Sequence, residues 1–249
     1  MIRVRLTRVR GSSPREAGAQ MFVGPDAITG TIGGGQLEYL AIDRARQMLA
    51  RGEAQAMMDV PLGPEIGQCC GGRVELVLDR ALPPVEQPGP PVLIFGAGHV
   101  GRALTVALRP LPFAPLLIDQ RMAELAQAAP GVPTRLTPLP EAEIRRARPG
   151  AAYVILTHDH ALDFLLATEA LGRGDAAYVG MIGSRTKRAT FSRFARQQGI
   201  SPDPLVCPIG AGGTRDKRPA VIAALTAAEL LNTMLAPAEP ARAPLILQD

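Results

Sequence analysis

The chain has 249 residues, 47% hydrophobic and 20% charged, with 27 Lys and Arg against 23 Asp and Glu and a formal net charge of +4. That length holds one large or two modest domains with a real core, and no apolar run approaches the roughly 20 residues needed to span a bilayer. Only Lys187 and Lys217 are lysines, the arginines are scattered along the sequence and aromatic residues make up 4%, so no nucleic-acid or membrane partner is expected.

The N-terminus alternates apolar and basic residues from Ile2 to Val9, as a half-buried strand does, and carries no apolar block of the signal-peptide kind; a cytoplasmic location is the expectation. Further strands are predicted over 19–23, 54–60 and 74–78. One helix is predicted from about Gln36, with Leu37, Leu40, Ala41, Ala45, Met48 and Leu49 as its apolar stripe. Gly33-Gly34-Gly35 opens that helix and reads as a backbone cradle for an anion. The three cysteines, Cys69, Cys70 and Cys207, are an odd count with no C-x-x-C pair, which argues against a disulfide scaffold and a structural zinc site. Cys69 and Cys70 are adjacent within Gly67–Gly72, and a thiol in a glycine-rich loop suits a soft or sulfur-bearing ligand. Residues 83–91 contain five prolines and read as a linker between an N-terminal α+β domain (1–82) and a second domain (92–235), with a mobile tail at 236–249.

The second domain alternates in a rhythm that predicts a Rossmann-like, doubly wound parallel sheet. Strands are predicted over 92–95, 116–118, 133–136, 152–157, 177–182 and 205–207, with helices over 161–171, 185–198 and from Pro219 to about 235. After the first strand, Gly96, Gly98 and Gly101 form G-x-G-x-x-G. The first allows the tight turn, the second lets a phosphate approach the backbone, and the third lets helix and strand pack closely. Asp119, at the end of the next strand, stands where a ribose-binding acid is expected.

Ligands of such sheets bind at the carboxyl ends of the strands. All three histidines fall there: His99 in the glycine loop, and His158 and His160 after the fourth strand. Ser184, Arg185 and Lys187 follow the fifth strand, and a second basic loop, 210–218, follows the sixth. Cations at a helix start oppose its dipole, so they make sense facing a bound anion. Removing the charges of Arg185 and Lys187 is therefore expected to weaken anion binding without destabilising the fold. A metal at His158, His160 and Asp163 is disfavoured, because the metallohydrolase pattern H-x-H-x-D-H would need Asp at Leu162 and His at Asp163.

Taken as a set, Gly11-Ser12-Ser13-Pro14-Arg15-Glu16-Ala17-Gly18, Gly30-Thr31-Ile32-Gly33-Gly34-Gly35-Gln36-Leu37-Glu38, the cysteine loop, the glycine loop, 157–163, 178–188 and Cys207-Pro208-Ile209-Gly210 resemble the xanthine dehydrogenase accessory (XdhC/CoxI) family over nearly the whole chain. The resemblance implies a non-catalytic chaperone that binds the molybdenum cofactor (molybdopterin), supports its sulfuration together with a cysteine desulfurase, and inserts it into apo xanthine dehydrogenase or a related molybdenum hydroxylase. It also implies a homodimer. Under it, the candidate cofactor-binding residues are Gly33, Gly34, Gly35, Cys69, Cys70, Gly96, Gly98, His99, Gly101, Asp119, His158, His160, Ser184, Arg185 and Lys187, with Cys69 or Cys70 a contact to molybdenum or its sulfur. Two other readings stay open: an NAD-dependent oxidoreductase using Asp119, and a nucleotide-regulated binding module with a nucleotide at the glycine loop.

Overall fold

Ile2, Val4 and Leu6 put their side chains on one face of the first strand and are fully buried, while Arg3 and Arg5 take the other face. In the computed structural model, which describes residues 1–64, 71–83, 88–212, 214 and 216–235, the chain divides into two units, Met1–Glu86 and Gln87–Asp249. Cys69, Cys70, Gly213, Arg215, part of the predicted linker and the tail from residue 236 lie outside the described residues.

In the first unit, β1 (Ile2–Arg10), β2 (Gln20–Val23) and β3 (Ile28–Gly30) precede α1 (Gly35–Arg51), and β4 (Gln55–Pro61) and β5 (Arg73–Arg80) follow it. The sheet runs β3-β2-β1-β5-β4 and all its pairings are antiparallel. Leu37, Ala41, Ala45 and Met48, spaced at helical periodicity, turn inward from α1 onto the buried face of the sheet and close the core with Leu76 and Leu78. The strand β3 was not expected. It is three residues long with every residue exposed, so it carries no apolar pattern to read.

The second unit starts with β6 (Pro91–Phe95), α2 (His99–Leu108), β7 (Ala114–Asp119), α3 (Met122–Leu125), β8 (Thr134–Leu136) and α4 (Glu141–Arg146). It continues with β9 (Ala152–Ile155), α5 (His160–Gly172), β10 (Tyr178–Met181), α6 (Arg185–Gln197), β11 (Leu205–Val206) and α7 (Pro219–Met234). The six strands are parallel in the order β11-β10-β9-β6-β7-β8, the doubly wound arrangement in which chain direction across the sheet reverses between β6 and β9. The strands β9 and β10 are buried along their whole length because helices cover both faces. On one face α2 and α7 pack through Leu104, Leu108, Ala223 and Leu230; on the other, Ile144, Leu166, Phe191 and Ala195 come from α4, α5 and α6. The short helices α3 and α4 were not foreseen. Among the described residues no helix is long and apolar enough to cross a membrane.

Candidate functional site

The reversal point leaves a crevice beyond the carboxyl ends of β6 and β9, and the glycine loop bends into it. The three glycines do different work. Gly96 has φ +114°, and a Cβ there would meet the Leu156 carbonyl oxygen at 2.4 Å. At Gly101 a Cβ would meet the Gly96 carbonyl oxygen at 1.9 Å. Both are required by the protein's own backbone. At Gly98 an added Cβ meets nothing within 4 Å, so only there does the missing side chain leave room for something outside the chain. His99 is exposed as the first residue of α2.

Asp119 follows as the terminal acid of β7, buried beside this loop. Its Oδ1 accepts from the Arg121 amide and Nε, each at 2.9 Å. Its Oδ2 accepts from the Ala97 amide at 2.7 Å and Arg121 Nη2 at 2.9 Å. Burial works to raise its pKa, but the Arg121 guanidinium and the two amides outweigh it and hold the carboxyl below the usual range. A carboxylate has about four acceptor positions, and here all are taken. Asp119 therefore braces the glycine loop and has no capacity left for a ribose hydroxyl while Arg121 stays in place, which corrects the role expected for it. The cleft between Gly96, Asp119 and His158 measures about 10 Å³, room for no more than a water molecule.

In the loop after β9, Asp159 caps α5, accepting from the amides of Ala161 and Leu162 at 2.8 and 3.4 Å, and leaves His158 and His160 exposed. Asp163 points inward and is fully buried. Its Oδ1 accepts from the Thr157 hydroxyl at 2.7 Å and amide at 3.1 Å; its Oδ2 accepts from Lys187 Nζ, which also donates to the Ile182 carbonyl at 3.0 Å. Lys187 thus departs from expectation. It does not face an external anion, because an anion of the chain itself has claimed it. Arg188 likewise turns in to the Leu205 carbonyl, and Arg218 pairs with Asp216. Of the cations expected at these helix starts, Arg185 stays exposed and Arg215 lies outside the described residues.

The roomy part of the carboxyl edge lies further along, beyond β10 and β11. A cavity of about 540 Å³ is lined by Gly183 and Ser184 at the start of α6, by Pro208, Ile209 and Gly210 after β11, and by Lys217 before α7. That volume is in the range of a small-molecule site. Ser184 Oγ accepts from the Lys187 amide at 3.2 Å, and among the described residues the amides of Arg185 and Thr186 donate to no protein acceptor. The loop 210–218 and the Cys207-Pro208-Ile209-Gly210 motif are visible in the sequence, but neither marks Pro208, Ile209, Gly210 or Lys217 as cavity residues; only the fold brings them opposite Ser184. Cys207 is buried behind Gly183, with its thiol pushed up chiefly by burial, and packs as a core residue.

In the first unit, the cradle expected at Gly33-Gly34-Gly35 is filled from within. Glu38 Oε1 accepts from the amides of Ile32, Gly33 and Gly34 at 2.9, 3.2 and 2.9 Å and from the Thr31 hydroxyl. Partial burial raises the Glu38 pKa, and the Thr31 hydroxyl and three amides together more than reverse this, leaving it below the ordinary value. Glu38→Gln is expected to lower stability by about 1–3 kcal/mol near neutral pH, the usual effect of weakening hydrogen bonds to a charged group. Because the folded-state pKa is depressed, this contribution is complete above the ordinary Glu value and is lost as pH falls through the lowered one. Urea unfolding of both proteins across that acid range checks it: the difference should shrink as pH falls, and a pH-independent difference contradicts the assignment.

A parallel doubly wound sheet with a cavity between two helix starts at its carboxyl edge defines an α/β protein of Rossmann type. The chain belongs to the XdhC and CoxI family: residues 92–230 match the XdhC Rossmann domain and residues 1–60 the XdhC and CoxI family. It is 29% identical over 217 residues to the uncharacterised protein YqeB of Escherichia coli (strain K12). That match covers 81% of this chain but 38% of YqeB, so the chain spans well under half the length of that relative. A crystal structure from Bacillus halodurans, described as a xanthine dehydrogenase, superposes with a TM-score of 0.77 over 98% of this chain and 94% of that one. At 18% identity the likeness concerns the fold.

Proposed function

We propose that the chain is an accessory protein of xanthine dehydrogenase maturation. In this reading it holds the molybdenum cofactor at the carboxyl edge of the parallel sheet, shields it while a cysteine desulfurase supplies its terminal sulfur, and passes it to apo xanthine dehydrogenase or a related molybdenum hydroxylase. Family membership supports the accessory role. The observation that carries the binding role is the cavity of about 540 Å³ between the starts of α6 and α7.

The donor set there fits a phosphate-bearing, oxygen-rich ligand. The unpartnered amides of Arg185 and Thr186 point out of a helix start, and Ser184 and Lys217 offer a hydroxyl and a cation at the wall. Gly98, with open space where its side chain would be, is the second candidate approach for a phosphate. Cys69 or Cys70 is the proposed soft contact. Once bound, the cofactor would supply the molybdenum redox chemistry of the recipient enzyme; the residues of this chain bind and orient it and exclude water. A homodimer is part of the proposal. The saturated Asp119 weighs against the NAD-dependent oxidoreductase.

The test is reconstitution. The chain, purified from a molybdenum-competent host, is added to apo xanthine dehydrogenase and hydroxylase activity is followed. Activity should be restored in proportion to the molybdenum carried, and the chain alone should show no steady-state hydride transfer with NAD. No restoration, with turnover of NAD by the chain alone, would replace this reading with the oxidoreductase.

A further inference from the structure

The helix α6 carries five basic residues and no acid: Arg185, Lys187, Arg188, Arg193 and Arg196. Lys187 and Arg188 turn inward, as described above, on the side that also buries Phe191 and Ala195. The remaining three are exposed. At about 100° per residue, Arg185, Arg193 and Arg196 fall within about 80° of one another on the helical wheel. Only the small residue Ala189 stands between them on that arc, with Ser192 at its edge. They form a stripe that starts at the cavity rim and runs along a helix of 13 residues, about 20 Å.

What distinguishes these three arginines is that they share one helix face with no carboxylate partner. Arg102 meets Glu124, Arg121 meets Asp119, Arg145 meets Glu169 and Arg173 meets Asp175, while Arg5, Arg15, Arg46, Arg109 and Arg148, which also lack an ion pair among the described residues, each stand on a different element or loop. Among the described residues no carboxylate lies within ion-pair reach of Arg185, Arg193 or Arg196, and no other helix gathers three such arginines. A sequence scan misses the stripe because spacings of eight and three residues show as scattered charge until the helix aligns them.

We infer that this face of α6 is the docking surface for an acidic protein surface, that of the enzyme which receives the ligand. The inference rests on the accessory reading above and adds to it where the recipient binds. Charge complementarity selects the partner: a face with three free guanidinium groups and no acid attracts clustered Asp and Glu and repels its own kind. A second copy of this chain placed symmetrically on the stripe would set arginine against arginine. The position of the stripe selects the role, because a partner lying along α6 has the cavity mouth at its edge, and a ligand leaving past Ser184 enters the partner rather than bulk solvent.

The test uses the full-length chain and apo xanthine dehydrogenase, with binding followed by biolayer interferometry at low and high salt and transfer followed by hydroxylase activity. Arg193 and Arg196 are reversed together (R193E/R196E), leaving Arg185 at the rim untouched. The variant should keep its molybdenum content and thermal midpoint. Its association rate at low salt should fall on the order of tenfold or more, and the salt dependence seen with wild type should flatten. R193K/R196K should associate nearly as wild type. Equal association and equal salt dependence for wild type and R193E/R196E overturn the inference, as does failure of wild type to bind the apo-enzyme. Loss, in the variant, of binding to a 20-base-pair DNA duplex or to anionic vesicles, with no protein partner engaged, overturns it in favour of those anions. Salt-dependent binding by wild type without transfer leaves the docking surface standing and removes the chaperone reading instead.

Discussion

Lys187→Ala is expected to lose about 3–5 kcal/mol of stability, the cost of leaving one member of a buried ion pair without its partner. Asp163 is fully buried, and Lys187 Nζ satisfies its second oxygen as well as the Ile182 carbonyl. The lysine ties the first turn of α5, at Asp163, to the start of α6, so its loss leaves an uncompensated buried carboxylate and loosens the helix start beside the cavity. Arg185→Ala, at the exposed neighbouring position, should leave stability within about 0.5 kcal/mol of wild type. Denaturant unfolding of the two variants separates them. Combining Lys187→Met with Asp163→Asn should recover much of the loss, since both charges are then gone and the Thr157 hydrogen bonds can persist. Near-wild-type stability of Lys187→Ala would mean that the pair is not formed in solution.

The glycine loop offers the second large contrast. Gly101→Ala is expected to cost at least about 3 kcal/mol, or to prevent folding, because backbone rather than a yielding side chain meets the new methyl at 1.9 Å. Gly98→Ala puts its methyl into open space at φ −69°, a conformation any residue adopts, and should cost no more than about 1 kcal/mol, the lower preference for Ala at a helix N-cap. If a phosphate approaches the loop, Gly98→Ala or Gly98→Val should still lower retention of the molybdenum cofactor. Thermal melts report the first contrast and molybdenum content after gel filtration reports the second. A fully folded Gly101→Ala would contradict the packing described here, and full retention by Gly98→Val would remove the glycine loop from the binding site.

The sequence made the second unit more legible than its site. Short apolar runs bounded by glycine turns have few other folds open to them, and a doubly wound parallel sheet of six strands followed from their rhythm. The carboxyl edge was placed for the same reason. Which charges on that edge face outward could not be read, because it depends on partners distant in sequence. Lys187 meets Asp163, 24 positions away, and Arg188 meets Leu205, 17 away. Asp119 looked like a ribose acceptor by position, but the hydrogen bonds that fill it come from Ala97, 22 residues back, and from Arg121, two residues on. The cavity walls at Pro208 and Ile209 have no chemical signature at all. Glu38 was within reach of sequence reasoning: an acid three residues after a glycine run at a helix start can cap that run itself, as reciprocal N-terminal caps do.

That internal capping changes what the glycine run is. Three consecutive glycines ordinarily signal a hinge, since each has more backbone freedom to lose than any other residue. Here one carboxylate gathers the three successive amides of Ile32, Gly33 and Gly34, and the Gly33 position lies against Pro14, where an added Cβ would sit 3.0 Å from the proline Cβ. The corner is frozen by a ligand that never leaves, because Glu38 is tethered a few residues away and is present at a far higher local concentration than any anion in solution. A tethered occupant cannot be diluted out, so the turn is set by the chain itself and needs no outside ligand to hold its shape.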